Sequence, residues 1–357
     1  MEKLKNRFFS FYKWLFLCGL SVVAFSCSRV TYDVVYPTLN DGRYDSEFPY
    51  RNCSSELESI TRTVKKVHCL VEYKTYLFDN SQQVTRKKLA TLKLDKTAVA
   101  VSNFNESVGA SAVLIYSDDH RVVLVTSAHT FGYDDTLFTY YGDESGKDSD
   151  ILQSVSVKTK QQNFARELGE FGLLDLLVTD PETDIAFLYG YSDTPQGQLP
   201  VFDYPLGNSK QVEWGTFIYA IGYPAGNKMI TRGIVANPEP DRSGAFLIDA
   251  LFNQGMSGGL VLAIRDGVPN FEMVGIVKSV SARFENILRP EKESHEKIYN
   301  QNLPYEGNIY VKLQRNINYG ITYAVSVETI INLYLMNRSK FTDRGLNLDR
   351  YFITRKP

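Results

Sequence analysis

Ser257 stands in the run Gly255-Met256-Ser257-Gly258-Gly259, within the stretch Asp249 to Leu260. A serine set between glycines at a tight turn, entered from an apolar strand, can present one hydroxyl and two backbone N–H groups to a single substrate carbonyl. That is the equipment for acyl transfer through a covalent serine intermediate. The same five residues also suit a plain turn, in which glycine only supplies positive φ angles. A serine hydroxyl near neutral pH is a poor nucleophile until a base of matched pKa is held against it. The elements that could deliver such a base decide between the two readings.

One histidine has the right setting. Ala112 to Tyr116, a polar turn at Ser117-Asp118-Asp119-His120, and Val122 to His129 read as a β-hairpin. Its second strand is apolar almost throughout, the mark of a strand buried on both faces, and it ends in Ser127-Ala128-His129. The imidazole of His129 therefore falls at a rim; its other reading is a core histidine satisfied by hydrogen bonds. His120 belongs to the polar turn, and His68 and His295 have no comparable setting. Asp184 follows Pro181-Glu182-Thr183 just ahead of the apolar run Ile185 to Leu188, where a carboxylate can turn inward to accept an imidazole N–H or simply cap the turn. Asp180 belongs to the Pro181 turn and reads as a solvated acid.

Taken in order, these blocks resemble trypsin-like serine peptidases of the bacterial HtrA/Deg type over roughly Val101 to Leu335. The resemblance rests on Val125-Thr126-Ser127-Ala128-His129, Asp180 to Ala186, Tyr219 to Pro224, Gly233-Ile234-Val235, the Ser257 run, Val274 to Val277 and Ile321 to Val325. The chain order His, Asp, Ser is the one this family uses. The resemblance implies two six-stranded antiparallel β-barrels of the chymotrypsin/trypsin-like fold, with a short closing helix from Val327 to Leu335. It implies His129 as general base, Asp184 as its orienting carboxylate, Ser257 as nucleophile, and the N–H groups of Gly255 and Ser257 as the oxyanion hole. Met256 stands where the family carries asparagine or aspartate, and a thioether cannot form the salt bridge to a freed N-terminus that activates the animal enzymes. Leu251, six residues before Ser257, stands where peptidases selective for basic side chains carry aspartate, so a small or apolar residue is expected in the substrate pocket. Lys278 could instead favour an acidic residue or be a solvated lysine.

Composition agrees with a mainly β protein. Of 357 residues, 43% are hydrophobic and 22% charged, enough to bury a full core, and short runs rich in Val, Ile, Thr and Tyr outnumber helical stripes. The N-terminus has a basic start, an apolar run from about Trp14 to Phe25 that is short for a membrane span, and Ser26-Cys27. This predicts export. Ala24-Phe25-Ser26-Cys27 resembles a bacterial lipobox, with Cys27 lipidated and the protein held on a membrane facing the periplasm or cell surface; ordinary signal cleavage or a retained signal anchor are the alternatives. Removing residues 1–26 takes away Lys3, Lys5, Arg7, Lys13 and Glu2 and moves the formal charge from -2 to -5. No basic patch marks a nucleic-acid interface.

Of the four cysteines, Cys18 and Cys27 lie in the export segment; Cys53 and Cys69 could bridge in an oxidising compartment or stay as buried thiols. Neither cysteine nor histidine spacing fits a metal site, and no cofactor is predicted. The expected organisation is an export signal (1–27), a tether (28–52), a lead-in helix with the first barrel (53–195), the second barrel (196–335) and a tail (336–357). That tail is too short for the PDZ domain many HtrA-type proteins carry, and the polar stretch Arg283 to Gly320 reads as a long surface insertion. The function expected is a serine endopeptidase acting on polypeptides. Its rivals are a degenerate member that only binds peptide or protein, and an esterase, which the chain order disfavours.

Overall fold

The computed structural model describes residues 40–353 apart from 119, 143–147, 170–171, 195–198, 240–243, 291–301, 303 and 305–308. The export signal, Cys27 and the centre of the Arg283 to Gly320 insertion lie outside the described residues. Helix α1 (Ser54–Thr61) leads into β1 (Val64–Leu77), and two short helices, α2 (Arg86–Leu89) and α3 (Leu94–Thr97), precede β2 (Ala100–Asp118). Strands β3 (Arg121–Ser127), β4 (Thr136–Gly142), β5 (Asp148–Phe164), β6 (Leu173–Asp180) and β7 (Ile185–Tyr191) complete the first half. The sheet order is β1-β2-β3-β7-β6-β5-β4, and β1 also pairs antiparallel with β5. Six strands thus close a barrel, and β4 is carried on β5.

The second barrel closes as β10-β13-β12-β11-β8-β9. Its strands are β8 (Phe217–Gly222), β9 (Met229–Asn237), β10 (Ala245–Ile248), β11 (Leu260–Ile264), β12 (Phe271–Pro290) and β13 (Ile309–Ser326). Two antiparallel barrels are what the family resemblance implied. Much of the expected insertion is strand: the pairing of β12 with β13 runs on from the barrel to Pro290↔Ile309, with Leu288 and Val311 opposite each other and exposed.

Side-chain alternation explains why the strands beside the site are apolar throughout. In β3, Val122 and Leu124 fill the first barrel, whereas Val123 and Val125 face the seam between barrels. In β11, Val261 and Ala263 fill the second barrel, whereas Leu260, Leu262 and Ile264 face the same seam. Polar side chains are thereby pushed to strand ends, where β3 delivers His129.

Three local expectations differ from the structure. The capping-box pattern Ser55-Glu56-Leu57-Glu58 predicts a lead-in helix running to about Lys66; the helix ends at Thr61 instead, because Val64 and Val67 are fully buried in β1. Part of the stretch read as a tether is docked: Tyr44 is buried and its hydroxyl donates to Glu272 at 2.6 Å. Residues read as a tail form α5 (Arg338–Thr342) and α6 (Asp349–Phe352) after α4 (Val327–Met336), and Phe341, Leu346, Leu348, Tyr351 and Phe352 join the seam core. Those aromatics are too sparsely spaced to read as a helical stripe. No helix among the described residues is long and apolar enough to cross a membrane.

Candidate active site

Strand β3 leaves the first barrel at Ser127 and passes into one 3₁₀ turn, Ala128–Thr130. Ala128 and Thr130 are buried at 3% and 1%, whereas the side chain of His129 between them is 48% exposed. The turn anchors both neighbours and leaves the imidazole facing the cleft. Opposite, the β6–β7 turn ends at Asp184, whose φ of 62° is left-handed, a region aspartate visits more readily than most residues. Its carbonyl accepts from Ala128 N at 3.1 Å, and its Oδ1 accepts from His129 N at 2.8 Å. The imidazole Nδ1 lies 3.0 Å from Oδ1 and 2.8 Å from Oδ2. A carboxylate only accepts, so Nδ1 carries the proton and Nε2 is left as an acceptor. Asp180 has the role expected of a turn acid, accepting from Glu182 N and the Thr183 hydroxyl.

Ser257 follows β10 in the loop that enters β11, and it is 8% exposed. Its carbonyl accepts from Ser111 N at 2.8 Å. Gly258 brings the loop against β3 so closely that an added β-carbon would lie 3.0 Å from Ser127 N and 2.1 Å from Ser111 O, and its φ of +78° suits glycine. Gly258 N donates to Val277 O at 2.7 Å, as does the Ser127 hydroxyl at 3.1 Å. His129, Asp184 and Ser257 are thus brought to one end of the seam. Among the described residues the Ser257 hydroxyl makes no hydrogen bond, to His129 or to any other group.

The two N–H groups expected to meet an oxyanion are unengaged among the described residues, and the peptides that carry them are fixed from behind. The carbonyl and N–H of a trans peptide point opposite ways. Gln254 O is taken by Ala225 N at 2.7 Å, which turns Gly255 N–H away from that contact; Met256 O is taken by Gly259 N at 2.9 Å, which does the same for Ser257 N–H. Between them, Met256 N donates to Asn253 O at 3.0 Å and the Ser111 hydroxyl donates to Gly255 O at 2.8 Å. The Met256 side chain, 2% exposed, is plugged into the core of the second barrel. No charged anchor is needed: a buried thioether and a set of backbone hydrogen bonds hold the loop.

Leu251 and Lys278 sit on the two segments flanking Ser257. Leu251 is 68% exposed on the loop before Gly255; Lys278 follows Val277, and its Nζ lies 3.5 Å from Glu182 O. A cleft of about 350 Å³ opens beside the imidazole, lined by His129, Tyr133, Asp134, Thr179, Pro181 and Asp184.

Cys53 and Cys69 are free thiols, not a disulfide. Cys53 precedes α1 in the seam core with its Sγ 4.0 Å from the Tyr219 hydroxyl, whereas Cys69 points into the first barrel, so different cores separate them. Burial pushes the Cys69 thiol up to about 11, which leaves it inert near neutral pH. Among the described residues no three His, Cys, Asp or Glu side chains are grouped to hold a metal ion.

Ser111, Tyr223 and Gln254 were not among the residues expected from sequence: Ser111 holds the loop and its backing turn through its hydroxyl as well as its backbone N–H, and Tyr223 and Gln254 through backbone groups. Only the polar Ser111 inside the buried strand Ala110 to Ile115 offered a signal.

Comparison with curated proteins gives no match. Among solved structures, the chain is similar to a serine endoprotease from Yersinia pestis at 16% identity, covering 82% of this chain and 68% of that one with a TM-score of 0.37. Residues 110–276, the span from the start of the buried β2 segment through His129, Asp184 and Ser257 to β12, match the family model of the trypsin-like peptidase domain.

Proposed function

We propose that this protein is a serine endopeptidase of the HtrA/Deg type that cleaves polypeptides through an acyl-enzyme. The observation that carries this reading is the pairing of His129 with the Asp184 carboxylate beside a loop whose Gly255 and Ser257 N–H groups are unengaged among the described residues. Ser257 Oγ attacks the scissile carbonyl while His129 Nε2 takes its proton. The carbonyl oxygen becomes an oxyanion received by the two N–H groups, each such donor worth on the order of 10²- to 10³-fold in rate. His129 then donates the proton to the leaving amine, Asp184 keeps the imidazole in the Nδ1–H form, and water hydrolyses the ester by the same route in reverse. Leucine rather than an acid at position 251 supports a small or apolar residue before the scissile bond. On the N-terminal pattern we further propose that the protein is exported and tethered through Cys27.

A second reading is peptide binding without turnover, favoured by the Ser257 hydroxyl making no bond to His129. Catalytic hydrogen bonds often tighten only when substrate is present, so the first reading stands ahead. Labelling of the purified full chain with a serine-reactive fluorophosphonate, beside folded Ser257→Ala and His129→Ala variants, separates the two. Labelling of the parent alone supports the peptidase; a folded parent that stays unlabelled at high reagent supports the binding protein.

A further inference from the structure

Ser111 has no place in the triad or the oxyanion hole, yet most of its hydrogen bonds are spent on the segments around them. It lies on β2 of the first barrel and is fully buried. Its hydroxyl donates to Gly255 O at 2.8 Å and accepts from Tyr223 N at 2.8 Å. Its backbone N donates to Ser257 O at 2.8 Å, and its carbonyl accepts from the Thr126 hydroxyl at 2.7 Å. Three of these four bonds cross from the first barrel to the second, and all three end on the loop that bears the nucleophile or on the turn that backs it.

We propose that Ser111 is a positioning residue for the oxyanion hole, fixing the Gly255–Met256 peptide so that the first barrel sets the aim of donors carried by the second. This rests on the peptidase reading and deepens it. The Gly255–Met256 peptide lies between the two donor peptides, so rotation about it re-aims both. Its N–H end is held within the loop by Asn253 O, and among the described residues its carbonyl end is held from across the seam by Ser111. The turn behind it is gripped the same way, since Tyr223 bonds Ser111 through its N–H and donates its hydroxyl to Glu167 of the first barrel. Two residues after Tyr223 comes Ala225, whose N–H holds Gln254 O and so aims Gly255 N–H. One hydroxyl therefore bears on both donors.

The test compares Ser111→Ala with Ser192→Ala, which removes a hydroxyl of similar burial from the first barrel away from the site, one that donates to Leu168 O at 2.7 Å. Fluorophosphonate acylation and turnover of a peptide substrate are measured on the full chain, with affinity for a peptide aldehyde that forms a tetrahedral adduct. Ser111→Ala is expected to lower kcat about 10- to 100-fold with KM little changed, and to weaken the aldehyde in proportion, a fraction of what loss of a donor costs. Ser192→Ala is expected to lower thermal stability comparably and leave kcat and aldehyde affinity unchanged. Equal kcat and aldehyde affinity in the parent and folded Ser111→Ala overturn the proposal. Ser111→Cys, which fills the site with a weak donor, carries the test if the alanine variant does not fold. Amide exchange over residues 250–258 decides the matter if the parent is never acylated, which sinks the peptidase reading alone: faster exchange in the Ser111 variant and not in Ser192→Ala upholds the positioning role, and unchanged exchange ends it.

Discussion

Gly255 packs against the Tyr223 carbonyl so tightly that a β-carbon at residue 255 would stand 2.3 Å from that oxygen, and its φ of +99° is one that side chains rarely adopt. The approach lets Gln254 O reach Ala225 N while Gly255 N–H faces the other way. Gly255→Ala must push the Tyr223 turn and the loop apart. The expected outcome is a folded protein whose acylation by fluorophosphonate falls at least about 10²-fold, the scale of losing one oxyanion donor. Acylation rate read beside thermal unfolding checks this: a rate within about threefold of the parent would show that this N–H does not meet the oxyanion.

Asp184 is bonded to both the backbone and the ring of His129, so its carboxylate does two jobs that can be separated. Asparagine at 184 tolerates the same positive φ and still offers an oxygen to His129 N, but its amide can hold the ring with Nδ1 as acceptor, which puts the proton on Nε2. Asp184→Asn is expected to keep the fold and lower kcat on the order of 10⁴-fold. Asp184→Ala also removes the partner of the part-buried His129 N–H and should unfold at lower temperature. Pre-steady-state acylation and thermal melts on the two variants make the comparison.

Met256 carries the loop through packing. Truncation by Met256→Ala opens a hole in the core of the second barrel and should cost about 2–5 kcal/mol of stability. Turnover should fall with it, because the side chain lies between the two donor residues. Met256→Leu conserves volume and should cost less than about 1.5 kcal/mol with most of the activity kept. Denaturant unfolding and kcat for both variants check the pairing of stability with rate. Activity that survives in Met256→Ala at full kcat would show that the backbone hydrogen bonds suffice without the plug.

Much of this candidate site was legible because the elements that bring its residues together leave marks on sequence. A strand buried on both faces reads as a continuous apolar run, so the polar Ser127-Ala128-His129 at its end stood out, and glycines at 255, 258 and 259 marked a turn that admits no side chains. What was hidden is what acts through the backbone or from a distance in the chain. Ser111 looks like one polar residue in an apolar strand, and only the register of β2 against the Ser257 loop reveals its partners. Tyr44 reads as lead-in because its acceptor Glu272 lies on β12, more than two hundred residues away. Aromatics after Met336 carry no period, so their place in the seam core could not be read from spacing. The helix limit near Lys66 failed because two buried valines belong to β1, a tertiary demand that overrides a local capping signal.

Asp45 makes the stability of the fold depend on pH. Its side chain is buried at 8% exposure; Oδ2 accepts from Gly267 N at 3.0 Å and Oδ1 has no partner among the described residues. Burial first, opposed by the Gly267 N–H and reinforced by Glu47, Asp266 and Asp41, raises its pKa from 3.8 to about 6. The folded state therefore holds this proton more tightly than the unfolded chain. Its contribution is fully present below about pH 4, is lost as pH rises to about 6, and stays lost above that. The span corresponds to at most about 3 kcal/mol. Asp45→Asn lacks the titration, so the stability of the variant relative to the parent should rise between pH 4 and pH 7 by up to that amount. Urea unfolding of both proteins at pH 4, 5, 6 and 7 gives the difference directly. A difference that is flat with pH would mean that Asp45 titrates in the folded protein as it does in the unfolded chain. In that case the docked Tyr44 segment would hold equally well across this range.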